Sequence, residues 1–388
     1  MTSVFCRFQR KSVPLLAACL CACAANRGPA PPPPSVQVRA WPQADALFHK
    51  DPRWLGGDGA FSVDLGAERT LWLFGDSFIA PSLSSATRAK AVMVNNSLAL
   101  QTGADPAAAS MHFQWRLYND RPAAFFPGEG DEWLWPADGI RLEESALLFF
   151  MRVRKDTSDA LGFALNGWLA LTIENIDDAP PSWRIRRART GKAEKGLLAG
   201  AAVLVYDGYV YAYSSLEPEH KIFLQRWKRA DARRGNLRSP QWWCGAKGGW
   251  GHDAAKREPL FADGQTEFSV HWDERTRSFL AVQTLGFGAT EIGMRRAPHP
   301  EGPWTPTVRV YRPPESDLQG ILVYAAKAHP QLTADSDEMI VTYVANRFDF
   351  LKLLTDSSVY YPRFLRWKLP APTSPYEKPR AGASREQR

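Results

Sequence analysis

Apolar residues in this chain come in short runs bounded by Gly, Pro, Asn and Asp, and amphipathic helical spacing is almost absent. The runs predict strands at Thr70–Phe74, Ser97–Gln101 and Phe113–Tyr118, then at Ile140–Leu142, Ala146–Arg152 and Trp168–Ile173. Others fall at Ala202–Tyr206, Tyr209–Ser214 and Ile222–Trp227, and at Phe268–Trp272, Ser278–Thr284 and Thr290–Arg295. The last three are Ala328–Leu332, Met339–Val344 and Tyr361–Trp367. By spacing these group into about five units of three or four strands. Each unit opens on a strand with small or polar residues, turns, and continues into a strongly apolar strand: TLWLFGD, ALLFFMRV, YVYAYSS, SFLAVQT, MIVTYVAN. Five repeats of this grammar predict an all-β chain folded as a five-bladed β-propeller, in which radial repetition protects the sheet edges. A two-sheet sandwich is the competing architecture, but its loops would not bring the openings of all five units to one axis.

The two ends follow other rules. Arg7, Arg10 and Lys11 precede a short apolar run from Ser12 to Ala25, the layout of a secretory leader and too short to span a bilayer. Leu16-Ala17-Ala18-Cys19 fits a bacterial lipobox, and Leu20-Cys21-Ala22-Cys23 is a looser second fit. Lipid attachment at Cys19 or Cys23 is therefore expected, with simple cleavage near Ala24 as the alternative. A proline run, Gly28 to Pro34, follows as a stiff tether. Residues 1–23 are read as a lipoprotein signal peptide, 24–40 as a proline-rich tether, 41–369 as the propeller and 370–388 as a disordered tail. The expected address is an exported bacterial lipoprotein anchored at the cell envelope, touching membrane only through its lipid.

Composition narrows the partners. Four of the five cysteines lie in the leader, leaving Cys244 in the body, so no disulfide is expected there and the core must hold the fold. The net charge of +7 comes with scattered arginines, among them Arg184, Arg186, Arg233, Arg295 and Arg296. Nucleic acid binding would fit that charge but not an exported address, so no nucleic acid partner is expected, and the body is expected to be a monomer. No zinc spacing, Walker loop, GxGxxG or GxSxG motif is present, so neither a cofactor nor a metal is expected.

The segment from Trp54 to Phe78, WLGGDGAFSVDLGAERTLWLFGDSF, carries the candidate chemistry. Two strand-like stretches, Ala60–Leu65 and Thr70–Phe74, flank the turn Gly66-Ala67-Glu68-Arg69. Antiparallel pairing across that turn sets Asp58 beside Asp76 at one end of the hairpin, about 5 Å apart at Cβ. A one-residue bulge at Gly66 would put both on the same face. Close carboxylates push each other's pKa values apart and can divide acid and base roles. A surface hairpin with two solvated turn aspartates fits the same pattern.

GGDGAFSVDL with TLWLFGDSF, then Asn95-Asn96-Ser97 and Trp135-Pro136-Ala137-Asp138-Gly139, resembles a DUF4185-like bacterial family of five-bladed propellers that includes endo-D-arabinanases. TEFSVHWD, PHPEGPW and AKAHPQL extend the resemblance to roughly Trp54–Trp367. In the arabinanase members catalysis has been placed on aspartates of the GGDG and FGD turns, which implies Asp58 and Asp76 here. In related glycosidase propellers an axial glutamate often serves as the acid, which would give Glu267 that role; a solvated strand-end glutamate is the plainer reading.

Other candidates stand beside blander readings. Asp138 opens the second unit and would face the axis, or it is an ordinary Asp-Gly turn. Glu267 and Ser269 alternate with Phe268 and Val270, so if the apolar pair packs, the polar pair faces the channel. His329 opens the fifth unit, where a structural hydrogen-bonding role is the alternative. Asn96, with Asn95, would bond substrate hydroxyls or cap a turn. Trp135, like Trp242, Trp243 and Trp250, reads as a loop tryptophan able to stack on a sugar ring or to pack in the core. Two functional classes follow: a two-carboxylate glycoside hydrolase acting on an envelope polysaccharide such as D-arabinan, or a non-catalytic propeller that binds a glycan or an envelope partner.

Overall fold

The computed structural model describes residues 36–158, 162–192, 194–332 and 338–369. The expected leader with Cys19 and Cys23, the proline run and the tail lie outside the described residues. Within them the fold is all-β, with five antiparallel sheets of four or five strands in chain order and three smaller ones of two or three strands. Sheet I contains Phe61–Gly66, Arg69–Phe74, Ser97–Thr102 and Ser110–Gln114. Sheet II contains Glu132–Leu142, Ser145–Lys155, Phe163–Ile173 and Ile185–Arg187. Sheet III runs Leu197–Tyr206, Tyr209–Leu216, Lys221–Lys228, Gln241–Trp243 and Trp250–Gly251. Sheet IV is Ser269–Asp273, Ser278–Thr284, Ile292–Ala297 and Val308–Tyr311. Sheet V is Ile321–Ala328, Glu338–Arg347, Pro362–Lys368 and, as its outer strand, Gln37–Ala40. That strand pairs Gln37 with Lys368 and Ala40 with Leu365, so the folded body begins inside the segment read as tether.

The apolar second strands explain how the sheets associate. Side chains alternate across a strand, and here both faces are buried. In sheet I, Leu71 and Leu73 pack toward Leu148 and Phe150 of sheet II, while Trp72 and Phe74 pack toward Ile340 and Phe364 of sheet V. In sheet II, Leu147 and Phe149 turn the other way, to Val203, Val210 and Trp227 of sheet III. Tyr211 and Tyr213 of sheet III meet Phe279 and Ala281 of sheet IV, whose Leu280 and Val282 meet Val323 and Met339 of sheet V. Each sheet thus has an apolar interface with the sheet before it and the sheet after it, and the fifth interface returns to the first sheet. A two-sheet sandwich would bury one face of each sheet and expose the other.

The opening strands of sheets II, III and V are irregular. Register shifts interrupt them between Pro136 and Gly139, between Ala199 and Ala202, and between Tyr324 and Lys327. A bulge re-aims the side chains beside it, and Asp138, Tyr324 and Lys327 stand at these breaks. The fifth unit was expected to open on Ala328–Leu332, but its first strand is Ile321–Ala328. The bulge, with Ala325 at φ 59°, breaks the alternation on which that expectation rested. Trp135 stands on the first strand of sheet II, and Trp242, Trp243 and Trp250 on strands of sheet III, instead of in loops. Trp250 lies under the Arg226 guanidinium at 3.9 Å. Arg295, one of the scattered arginines, is 3% exposed and lies 3.8 Å over the Phe261 ring.

Candidate active site

The hairpin of sheet I pairs Phe61 with Leu73 and Asp64 with Thr70, with its irregularity between Asp64 and Gly66. Beyond Phe61 and Phe74 the ladder stops. It resumes with Gly57 opposite Ser77 in a separate small sheet formed by Trp54–Gly57, Ser77–Ile79 and Val92–Val94. Asp58 and Asp76 occupy this gap, in a continuous register. The Asp58 N–H donates to the Asp76 carbonyl at 3.3 Å, and the Gly75 N–H donates to the Asp58 carbonyl at 3.0 Å. Gly75 is required by space: a Cβ there would lie 2.4 Å from Asp58 Oδ1.

Two tyrosines, Tyr324 on the first strand of sheet V and Tyr360 in the irregular segment before its third strand, reach over this gap. Tyr324 donates to Asp58 Oδ2 at 2.8 Å. The Tyr360 hydroxyl lies 3.0 Å from the Asp76 carbonyl oxygen and 3.3 Å from Asp58 Oδ2, and its one proton serves one acceptor at a time. A protonated Asp58 can satisfy the remaining contact by donating to the phenol oxygen. Asp76 is held from the other side: its Oδ1 accepts from Trp135 Nε1 at 2.8 Å and from Asn95 Nδ2 at 3.3 Å. Both aspartates are half-buried.

Their environments separate their proton affinities. Burial, then the charges of Asp76 and Glu267, pushes Asp58 up to about 8, against the lowering effect of the two tyrosines. Burial also raises Asp76, to about 6, where the donors Trp135 and Asn95 hold it back. At neutral pH one carboxyl is therefore an acid and its neighbour a carboxylate, the division that acid–base chemistry needs.

Glu267 stands just before sheet IV, with Phe268 and Val270 buried against sheet III and its own side chain turned away from that core. Its Oε1 lies 3.6 Å from Lys327 Nζ. Lys327 is 2% exposed, sits 4.2 Å over the Phe61 ring and donates to the Ala325 carbonyl at 3.0 Å. Burial lowers its pKa, while Glu267, Asp138 and Asp58, the three carboxyl groups around it, oppose that shift. Asp138 accepts from the Gly139 and Val203 N–H groups at 2.8 and 2.7 Å, tying sheet II to sheet III. Burial raises it to about 7, with those hydrogen bonds and Lys327 opposing.

Two of the residues proposed to meet substrate are engaged elsewhere. Asn96 is fully buried; it donates to the Phe126 and Leu134 carbonyls at 2.8 and 2.9 Å and accepts from the Phe126 N–H at 2.7 Å. His329 is 1% exposed and uses both ring nitrogens, with Ser62 Oγ at 2.5 Å and Thr342 Oγ1 at 2.7 Å. Burial, with Lys327 and His271 nearby, holds its pKa far below the usual histidine range. Its neutral ring joins sheet V to sheet I. Sequence reasoning passed over Tyr324, Tyr360 and Lys327: a bulge presents two of them, and Tyr360 sits at φ 69° in an irregular segment. Among the described residues no group of three or more His, Cys, Asp or Glu is arranged to hold a metal ion.

No curated protein shows significant sequence similarity to the chain. A crystal structure from Bacteroides ovatus, of a protein provisionally assigned as a hydrolase, superposes with a TM-score of 0.69 at 18% identity, over 86% of this chain and 90% of that one. This is a likeness of fold. The GH43_1 enzyme of Xanthomonas citri aligns with a TM-score of 0.45 at 13% identity, over 87% of this chain and 98% of that one, too distant to bear on the site. The family model for DUF5005, a domain of unknown function, matches residues 43–369, and by that match across most of its length the chain belongs to the DUF5005 family.

Proposed function

We propose that the ring of five sheets is a five-bladed β-propeller carrying a glycoside hydrolase site for an envelope polysaccharide. The observation that carries this reading is the pair Asp58 and Asp76, held by each other's backbone in the gap of one hairpin and poised at about 8 and about 6. Asp58, kept protonated beneath Tyr324 and Tyr360, gives its proton to the leaving glycosidic oxygen. Asp76, ionised and oriented by Trp135 and Asn95, acts as nucleophile or as base on water. Glu267 and Lys327 complete the charge balance around them. The fold it shares with the provisionally assigned hydrolase supports the reading without fixing the reaction.

The first substrate class to test is a furanosidic D-arabinan, on the strength of the GGDG and FGD turns. The experiment is release of reducing ends from purified arabinans and other envelope glycans by wild type, Asp58→Asn and Asp76→Asn. Wild type should cut at least one polymer, and each variant should lose orders of magnitude in turnover, because the amide cannot transfer the proton or carry the charge. Full activity in both variants, or none in wild type, leaves a glycan-binding propeller as the account. We further propose envelope anchoring through an acylated Cys19 or Cys23, tested by detergent partitioning of the exported chain and of a variant with both cysteines changed to serine.

A further inference from the structure

Phe287 is 60% exposed, but exposure alone does not single it out, since Leu117 and Phe348 are at least as exposed. Its setting does. Gly286 and Gly288, at φ 106° and 110°, bracket it in the connection between the second and third strands of sheet IV. Such backbone favours glycine. The loop is pinned to the first strand of sheet V: the Gly288 N–H donates to the Val323 carbonyl at 3.3 Å, and the Val323 N–H returns a bond to Gly288 at 2.9 Å. The next residue, Tyr324, is the one whose hydroxyl bonds Asp58, and the Phe287 ring packs against it at 5.3 Å between centroids. An aromatic ring is thereby fixed one side chain away from the acid.

An open cavity of about 520 Å³ adjoins this ring and is also lined by Asp263, Gln265, Thr307 and Arg309. The volume falls within the range of about 300–1,000 Å³ usual for small-molecule sites. Its charges are already paired: Asp263 with Arg295 at 2.8 Å and Arg309 with Glu291 at 2.9 Å. Asp263 and Arg309 are opposite in sign and each has its own partner, and His220 stands beside Glu217 at 3.1 Å, so no single sign of charge dominates the lining. The Thr307 hydroxyl is shared between Arg295 and Asp263, and Gln265 Nε2 donates to the Gly264 carbonyl at 2.9 Å, so what remains is chiefly an aromatic face, which suits the C–H face of a neutral sugar.

We propose that this cavity is a subsite for a neutral sugar residue of a polymer whose cleaved bond lies at Asp58, with Phe287 as its stacking platform. The proposal rests on the hydrolase reading for the identity of the polymer. The probes are soluble arabinan, xylan and β-1,3-galactan, and the readout is affinity electrophoresis of the full chain carrying Asp76→Asn. At least one polymer should retard this protein. Adding Phe287→Ala should weaken retention about tenfold, the scale of one lost aromatic contact, and Phe287→Trp should restore it. Retention unchanged by Phe287→Ala, or no retardation by any of the three, overturns the subsite. The same polymers given to the chain with Asp76 intact separate the two ideas. Phe287-dependent retention without hydrolysis removes the enzyme and keeps the subsite, whereas hydrolysis with retention indifferent to Phe287 does the reverse.

Discussion

Replacing Asp58 by asparagine should stabilise the fold at neutral pH, and the gain should grow as pH rises. In the unfolded chain this carboxyl ionises near 3.8; in the fold, burial first and then Asp76 and Glu267 push it up to about 8. Between those values the unfolded state gives up a proton that the native state keeps. Stability is therefore fully present below pH 3.8 and declines with rising pH, by about 1.4 kcal/mol per unit, until the folded group also ionises. From pH 5 to pH 7 this one group removes on the order of 2–3 kcal/mol. Asparagine has no such term, and its oxygen can still accept the Tyr324 proton now given at 2.8 Å. With an unfolding entropy of about 2 cal/mol/K per residue, the difference amounts to roughly 4 °C for a body of this size. Calorimetric Tm values for wild type and Asp58→Asn across pH 5–9 make the test. The gap should widen by that amount between pH 5 and 7 and level off above pH 8. A gap that stays flat or narrows would falsify the assignment of Asp58 as an acid at neutral pH.

Three other outcomes follow from the same geometry. Lys327→Met removes the cation facing Glu267 at 3.6 Å, so the neighbouring carboxyls should hold their protons to higher pH. The alkaline limb of the pH–rate profile should move up by about one unit, and an unmoved limb counts against the role given to Lys327. Asn96→Ala leaves the Phe126 N–H and two carbonyls without partners in the core, and should cost about 2–4 kcal/mol in urea unfolding. Phe364→Ala opens the interface between sheets V and I, where Phe364 stacks on Phe48 at 5.1 Å, and should cost about 3–5 kcal/mol by the same measurement.

The parts legible in sequence are those governed by local rules. TLWLF and ALLFF announce strands buried on both faces, and the turn at Gly66 sets a register that carries Asp58 to Asp76 without further information. The alternation Glu267-Phe268-Ser269-Val270 likewise separates the packed apolar pair from Glu267, but Ser269, expected to face the channel, is buried and accepts from the Ala328 N–H at 2.8 Å. What escaped depends on contacts between distant segments. Tyr324 and Lys327 reach the centre because a bulge interrupts their strand, and Tyr360 because an irregular loop folds over the gap from sheet V. Asn96 and His329 look like ligand-binding residues in sequence, but their partners, Leu134 and Ser62, belong to other sheets, and those partners assign them to the framework.

The outer strand of sheet V has a consequence for how the chain comes into being. Among the described residues Gln37–Ala40 is the first strand in chain order, and Pro362–Lys368, its partner, is the last. Until that late strand emerges, Phe364 is missing from the interface that covers Trp72 and Phe74, and those two rings wait without their final cover. Tyr324 and Tyr360 are also synthesised long after the two aspartates they clasp. Closing so long a loop makes ring completion late and slow relative to formation of the individual hairpins. A nascent chain of this kind holds a sticky, open edge through nearly all of its synthesis. Its yield in a cell should therefore depend on whatever shields that edge more than on the strength of the finished core.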